Sequence, residues 1–120
     1  MNDTDANYYQ RTVAGPVTCN GIGLHTGSKV TLRILPAPAK SGITFIRTDT
    51  PTRIEIPARI ENVVAANLAT TLGKSGVSVA TVEHVLAALN GLGIDNAYIE
   101  VDGPELPILD GSAAPFVFLI

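Results

Sequence analysis

The chain has 120 residues, which is the length of one ordinary domain. Hydrophobic residues make up 46% and charged residues 16%, against about 45–50% and about 25% in typical globular domains, which excludes a disordered chain. The net charge of −3 and the lack of a Lys/Arg cluster exclude a typical nucleic-acid-binding surface. No apolar run approaches the roughly 20 residues of a membrane span. The low charge suggests that something outside this sequence covers part of the surface.

The first residues and the cysteine content favour a cytoplasmic location. Residues 1–10 are polar and lack the basic and apolar regions of a signal peptide, so we expect a flexible tail there. Cys19 is the only cysteine, which excludes a disulfide framework and a cysteine-based zinc site.

The first two thirds of the chain have the pattern of strands and turns. In Lys29–Leu35, Val30, Leu32 and Ile34 alternate with polar residues, which predicts a half-buried strand. Gly21–Gly27 is a glycine-rich turn. Further strands are predicted at Arg11–Asn20, Ile43–Arg47, Arg53–Ile56, Ile60–Val64 and Leu68–Leu72, the last ending at a hairpin loop over Gly73–Gly76.

The hydrophobic period then changes to that of a helix. Val82, Val85, Leu86 and Leu89 share one helical face, with Thr81 as the predicted N-cap and glycines at 91 and 93 as the end. A strand over Ala97–Val101 follows, and Ser112 is the predicted N-cap of a second helix that begins at Ala113. Residues 11–120 are therefore expected to form one α+β domain: a largely antiparallel sheet with two helices packed on one face. The uncapped apolar end, 116–120, is expected to be a point of truncation.

Glu83 and His84 are the first candidates for chemistry. The helical wheel places His84 about 150° from the core face, beside Ala87, Ala88 and Gly91, and such small residues allow another element to approach closely. In the first turn, the helix dipole favours an ionised Glu83 and a neutral His84, as needed for a general base and a metal ligand. From residue type alone, an ordinary surface acid and histidine remain the simpler interpretation, because a catalytic zinc needs three protein ligands.

Two other positions have open interpretations. His25 lies in the glycine-rich turn, where backbone N–H groups are able to approach an anionic ligand, although a tight turn with an exposed histidine explains it equally. Asp110 either shapes the turn before the second helix or presents a polar group at the edge of a site.

Three segments taken together carry a resemblance to a known family. They are Gly21–Gly27 (GIGLHTG), Thr81–Asn96 (TVEHVLAALNGLGIDN) and Pro104–Phe116 (PELPILDGSAAPF). Their order and spacing resemble the UDP-3-O-acyl-N-acetylglucosamine deacetylase family, zinc amidases of lipid A synthesis in Gram-negative bacteria, over about residues 11–120. The resemblance implies two similar α+β domains with the active site between them, and this chain matches only the first.

The resemblance also implies roles for particular residues. His84 corresponds to a zinc ligand and Glu83 to the general base that activates water, while the other two zinc ligands belong to the absent second domain. The chain alone is therefore expected to be inactive and to hold no zinc tightly. The remaining positions implied to lie near the cleft are His25, Asn67, Leu68, Ala69, Thr70 and Asp110.

Two alternatives stay open at this point. The first is a non-catalytic module that binds a nucleotide-sugar or a protein partner through the His25 loop and the His84 face. The second is self-association, in which a second copy covers the surface formed by Ala87, Ala88 and Gly91.

Overall fold

The computed structural model describes residues 9–66 and 69–120, which contain two β-sheets and two helices. The five-stranded sheet has the order β1-β2-β8-β3-β4, and the three-stranded sheet has the order β5-β6-β7. The strands are β1 (Val17–Ile22), β2 (Lys29–Pro36), β3 (Ile43–Arg47), β4 (Ile54–Pro57), β5 (Val63–Ala65), β6 (Thr71–Lys74), β7 (Val77–Ala80) and β8 (Ala97–Val101). The helices are α1 (Glu83–Gly91) and α2 (Ala114–Leu119).

The large sheet is built around β8, the last strand in the sequence. β8 pairs antiparallel with β2, where Ile34 lies opposite Ile99, and parallel with β3, where Phe45 lies opposite Ile99. After the β3–β4 hairpin the chain forms the second sheet and α1, and it then returns to insert β8 between β2 and β3. The other strand pairs are antiparallel, so the predicted α+β class with a largely antiparallel sheet is confirmed.

One face of the large sheet carries the core, as the alternating sequence pattern predicted. Alternate residues of β2 and β8, including Leu32 and Ile99, are fully buried on this face. Both helices pack on the same core through side chains that include Leu89 of α1 and Phe116 of α2. Neither of these helices is long and apolar enough to cross a membrane.

The exposed face of α1 differs from the prediction. Ala88 is fully buried in the core, whereas Ala87 and Gly91 are exposed. The buried stripe is therefore Val85, Ala88 and Leu89, and Leu86 is only half-buried. The helical wheel placed Ala88 on the exposed face because alanine has no strong hydropathy to indicate burial. The packing of α1 against α2, moreover, cannot be anticipated from the sequence of α1 alone.

The second sheet contains a hairpin at the predicted place, although its tip is shorter. Lys74 pairs with Val77, so the turn consists of Ser75 and Gly76, with φ angles of 55° and 78°. Two consecutive positive φ angles are typical of a type I′ turn, whose twist matches that of the flanking strands. β7 was not predicted as a strand.

Other observed element boundaries also differ from the predicted ones. The first described strand begins at Val17 rather than Arg11, and an isolated bridge from Thr12 to Asn96 precedes it. The predicted extended segment from Ile60 instead begins with a 3-10 turn over Ile60–Asn62. Residues 1–8 of the predicted tail lie outside the described residues.

A buried arginine joins the two sheets. Arg47 of β3 is only 8% exposed. Its Nη1 donates to the carbonyl oxygen of Ser78 in β7 at 2.6 Å, and its Nε and Nη2 donate to the Asp49 carboxylate, each at 2.8 Å. These hydrogen bonds connect β3 of the larger sheet to β7 of the smaller one.

Candidate active site at the start of helix α1

Glu83 and His84 occupy the first turn of α1, and both are half-buried. Glu83 Oε1 accepts a hydrogen bond from the backbone N–H of Thr70 at 3.1 Å. Within the described residues, no hydrogen bond to the other carboxylate oxygen or to the His84 ring is present. One carboxylate oxygen is thus fixed by the backbone, and the other oxygen and the neighbouring imidazole are available for chemistry.

The chain enters α1 through a strained residue. Thr81 has a φ of 63° and is buried, which is rare for a β-branched residue and costs of order 1–3 kcal/mol. The N–H groups of Thr81 and Val82 both donate to the carbonyl oxygen of Thr70, at 2.9 and 3.3 Å. The same residue, Thr70, therefore accepts bonds from the helix entry and donates one to Glu83.

The prediction that Thr81 caps α1 was wrong. The N-cap is Val82, without a side-chain cap hydrogen bond, and the Thr81 hydroxyl instead donates to Glu105 Oε2 at 2.9 Å. Ser112 is likewise not the N-cap of α2, which begins at Ala114 with Ala113 as its N-cap. The Ser112 hydroxyl accepts the Ala114 N–H at 3.3 Å and donates to Asp110 Oδ1 at 2.6 Å.

Glu105 is a buried carboxylate that connects the helix entry to the glycine-rich loop. Glu105 is only 2% exposed to solvent. The N–H of His25 donates to both of its oxygens, at 3.0 and 3.1 Å, and the N–H of Thr26 donates to Oε1 at 2.9 Å. With the Thr81 hydroxyl, three donor groups from two segments converge on one carboxylate.

These hydrogen bonds set the ionisation of Glu105. Burial is the largest single influence and acts to raise the pKa, but the hydrogen bonds from Thr26, His25 and Thr81 together outweigh it and leave the pKa below the ordinary value of 4.5. A carboxyl group whose pKa is lower in the folded state stabilises the fold above its unfolded pKa and loses this contribution as the pH falls.

We therefore expect acid to weaken the fold partly through Glu105. Urea denaturation between about pH 5 and about pH 3 should show the free energy of unfolding falling more steeply in the wild-type chain than in Glu105→Gln. Asp49, whose pKa is lowered mainly by its hydrogen bond from Arg47, titrates in both proteins, so only the difference between the two slopes reports on Glu105. Equal slopes would contradict the expectation.

The glycine-rich loop uses its N–H groups internally. The groups at His25 and Thr26 bind Glu105, the Ser28 N–H binds the Thr26 hydroxyl, and the Gly27 N–H binds the Gly23 carbonyl. The N–H groups of His25 and Thr26 therefore already bind a carboxylate of the same chain and are not open to an external anion in this structure, whereas the position of His25 near a substrate cleft stays a prediction.

The close approach of the Glu105 side chain leaves no room for a side chain at Gly23. A Cβ at Gly23 would overlap the Glu105 carboxylate and lie 2.6 Å from the Thr26 hydroxyl. We expect Gly23→Ala to lower the free energy of unfolding by about 1–3 kcal/mol, since the carboxylate must move from its donors. The matched control is Gly15→Ala, where a Cβ meets nothing within 4 Å and φ is not positive. Similar urea midpoints for both variants would contradict the expectation.

The structure brings together some of the sequence-predicted positions. Thr70 contacts Glu83 directly, and Ala69 is its neighbour; Asn67 and Leu68 lie outside the described residues. His25 is connected to the site only through its backbone, and its side chain is exposed. Asp110 is exposed and accepts hydrogen bonds from Ser112, at 2.9 Å from the N–H and 2.6 Å from the hydroxyl. Neither side chain forms a hydrogen bond with Glu83 or His84.

The described part of the chain does not form a complete metal site. A catalytic zinc takes three protein ligands, and no group of three His, Cys, Asp or Glu side chains with suitable geometry exists in residues 9–66 and 69–120. His84 has the chemistry of one ligand, because its ring forms no hydrogen bond with described residues, but the remaining ligands would have to come from elsewhere.

Sequence reasoning missed Glu105 and the true role of Thr81. Glu105 lies between Pro104 and the apolar pair Leu106-Pro107, and a charge in an apolar, proline-rich loop is a signal of a buried and satisfied carboxylate. No comparable signal reveals the left-handed conformation of Thr81, which is determined by partners 11 and 24 residues away at Thr70 and Glu105.

An α+β domain with a carboxylate and an imidazole side by side in the first turn of a helix has the residue types of a hydrolytic site. Residues 10–120 match the family model of UDP-3-O-acyl N-acetylglycosamine deacetylase (LpxC). The chain belongs to this family of deacetylases.

Similar curated proteins have the same description. The chain is 60% identical over 115 residues to the UDP-3-O-acyl-N-acetylglucosamine deacetylase of Anaeromyxobacter dehalogenans, and 56% identical over 115 residues to that of Myxococcus xanthus. Each match covers 96% of this chain and 37% of the relative. The corresponding protein of Hahella chejuensis is 58% identical over 111 residues, covering 92% of this chain and 37% of the relative. The chain thus spans little more than a third of the length of these relatives.

Proposed function

We propose that this chain acts as the N-terminal domain of a zinc-dependent deacetylase that hydrolyses the acetamide of UDP-3-O-acyl-N-acetylglucosamine in lipid A biosynthesis. The observation that carries the proposal is the Glu83-His84 pair, with one oxygen of Glu83 held by the Thr70 N–H at 3.1 Å. Family membership supports the substrate class.

Glu83 is the general base of the proposed reaction. Its Oε1 is held by the backbone, so Oε2 removes a proton from the attacking water. The water oxygen then bonds to the acetamide carbonyl carbon, and the carbon–nitrogen bond breaks. The protonated Glu83 returns this proton to the nitrogen, which leaves as the free amine of the sugar, and the acetyl group with the water oxygen leaves as acetate.

His84 is proposed as one zinc ligand, with the other ligands supplied by a second domain. When bound, zinc would polarise the acetamide carbonyl and acidify water. His84 and Glu83 are adjacent in one helical turn, so the backbone of α1 fixes the base relative to the ligand. The same reasoning predicts that this chain alone is inactive and binds no zinc tightly. The cytoplasmic location stays a prediction from the sequence.

The test compares this chain with the complete deacetylase that contains it. Release of acetate from UDP-3-O-acyl-N-acetylglucosamine is expected only from the complete protein, and His84→Ala is expected to lower its zinc content, measured by elemental analysis. Glu61→Ala, which removes an exposed acid from the 3-10 turn, is the control and should keep the wild-type zinc content. Enzyme-like turnover by the 120-residue chain, or unchanged zinc in His84→Ala, would overturn the corresponding part of the proposal.

A further inference from the structure

We propose that Glu105 is a positioning residue for Glu83, acting through Thr81 and Thr70. The activity part of this proposal rests on the proposed deacetylase function, whereas the structural part does not. Glu105 touches no reacting group. It lies at one end of a continuous series of hydrogen bonds whose other end is the carboxylate of the general base.

Three hydrogen bonds form this connection. The Thr81 hydroxyl donates to Glu105 Oε2 at 2.9 Å, the Thr81 N–H donates to the Thr70 carbonyl oxygen at 2.9 Å, and the Thr70 N–H donates to Glu83 Oε1 at 3.1 Å. Thr81 is buried and has the unfavourable φ of 63°, so its conformation persists only because its partners hold it. The Glu105 carboxylate is its side-chain partner.

An ionised carboxylate suits this position because its three hydrogen-bond partners all donate to it. The His25 N–H reaches both oxygens, the Thr26 N–H donates to Oε1, and the Thr81 hydroxyl donates to Oε2. A Gln side chain would keep a connection, because its oxygen accepts from the loop and its NH₂ group is able to donate to the Thr81 hydroxyl, which also accepts hydrogen bonds. Glu105→Ala removes both contacts and is therefore the informative substitution.

The backbone around Glu105 keeps its place without the carboxylate. The Ala80 N–H donates to the Pro104 carbonyl oxygen at 2.8 Å, and the Leu106 N–H donates to the Ala80 carbonyl oxygen at 3.1 Å. These two bonds join the segment to the end of β7, so Glu105→Ala is expected to fold and to lose mainly the side-chain connection.

The experiment uses Glu105→Ala, Thr81→Val and Thr81→Ser in the complete deacetylase. Thr81→Val removes only the hydroxyl at nearly constant shape, and Thr81→Ser retains it. Because small displacements of a catalytic group cost up to about 10²-fold in rate, we expect kcat to fall by about 10- to 100-fold in Glu105→Ala and Thr81→Val. KM should change by less than about threefold, since substrate binding is not the affected step. Thr81→Ser should recover most of the activity that Thr81→Val loses.

Amide hydrogen exchange gives a readout that does not depend on activity. The Thr70 N–H should exchange faster in Glu105→Ala and Thr81→Val than in wild type, because Thr81 no longer holds Thr70 in place. Asp102→Ala is the matched control: Asp102 is an exposed carboxylate that accepts the Thr31 N–H at 2.8 Å on the large sheet. This variant should leave both kcat and the Thr70 exchange rate unchanged.

The outcomes separate the two proposals. Unchanged Thr70 exchange in Glu105→Ala, or equal loss of activity in Thr81→Ser and Thr81→Val, would overturn the positioning role. Faster Thr70 exchange in a protein whose wild type shows no deacetylase turnover would support the connection and contradict only the proposed function.

Discussion

Glu83→Gln is expected to reduce the kcat of the complete deacetylase by about 10²- to 10⁴-fold, which is the usual contribution of a general base. The substituted amide retains an oxygen that is able to accept the Thr70 N–H, so the contact seen at 3.1 Å is expected to survive. The loss is then a loss of proton transfer, without a rearrangement of the helix entry. Steady-state acetate release, measured with circular dichroism on the same samples, provides the test.

Glu55→Gln is the control for this prediction. Glu55 lies in β4 with its side chain 60% exposed, and its ion pair with Arg53 is long, at 4.0 Å. An exposed pair of this kind contributes little to stability, so the control changes the net charge as Glu83→Gln does while retaining wild-type kcat. A Glu83→Gln enzyme with more than about a tenth of the wild-type kcat would rule out Glu83 as the base.

Phe116→Ala is expected to lower the free energy of unfolding of the chain by about 3–5 kcal/mol. The Phe116 ring is 1% exposed and is the side chain through which the short helix α2 enters the core. Removing it loses the apolar burial and leaves a cavity between α2, α1 and the large sheet. Because domains of this size are stable by only about 5–15 kcal/mol, the variant should lose a large share of its stability.

The same helix offers a matched control two residues away. Phe118 is 90% exposed, so Phe118→Ala should change the free energy of unfolding by less than about 0.5 kcal/mol. Urea denaturation followed by far-ultraviolet circular dichroism measures both variants. Equal destabilisation would mean that Phe118 is buried in solution, and the packing of α2 described here would be wrong.

The elements with one buried face were predictable from the sequence. β2 and β8 alternate between apolar and polar residues because only one side of the large sheet contacts the helices, and β3 was predicted with its observed bounds, Ile43–Arg47. β7 has four residues and lacks a strict alternation, so its pairing with β6 became visible only in the sheet. Whether such a short segment forms a strand depends on its pairing partner and not on its local sequence pattern.

The candidate site likewise has features that were predictable from the sequence and features that were not. The placement of Glu83 and His84 in the first turn of α1 was predictable from the sequence, because both residues follow directly on the predicted start of the helix. Their roles come from the family resemblance and stay predictions. Thr81 was assigned as a cap from its position before the helix, and the assignment failed because a carboxylate 24 residues downstream binds its hydroxyl. Long-range hydrogen bonds of this kind compete with local capping, and a single sequence does not reveal which of the two prevails.

The late position of β8 in the sequence has a consequence for how the domain is made. β2 and β3 do not pair with each other; they are joined only by the strand that lies between them, and that strand spans residues 97–101. During synthesis, the β1–β2 and β3–β4 hairpins are able to form early, but each presents an unpaired edge until β8 has left the ribosome. The large sheet is therefore completed in one late, non-local step. A nascent chain that stalls before Val101 would leave the backbone edges of β2 and β3 without a pairing strand, and such edges promote aggregation.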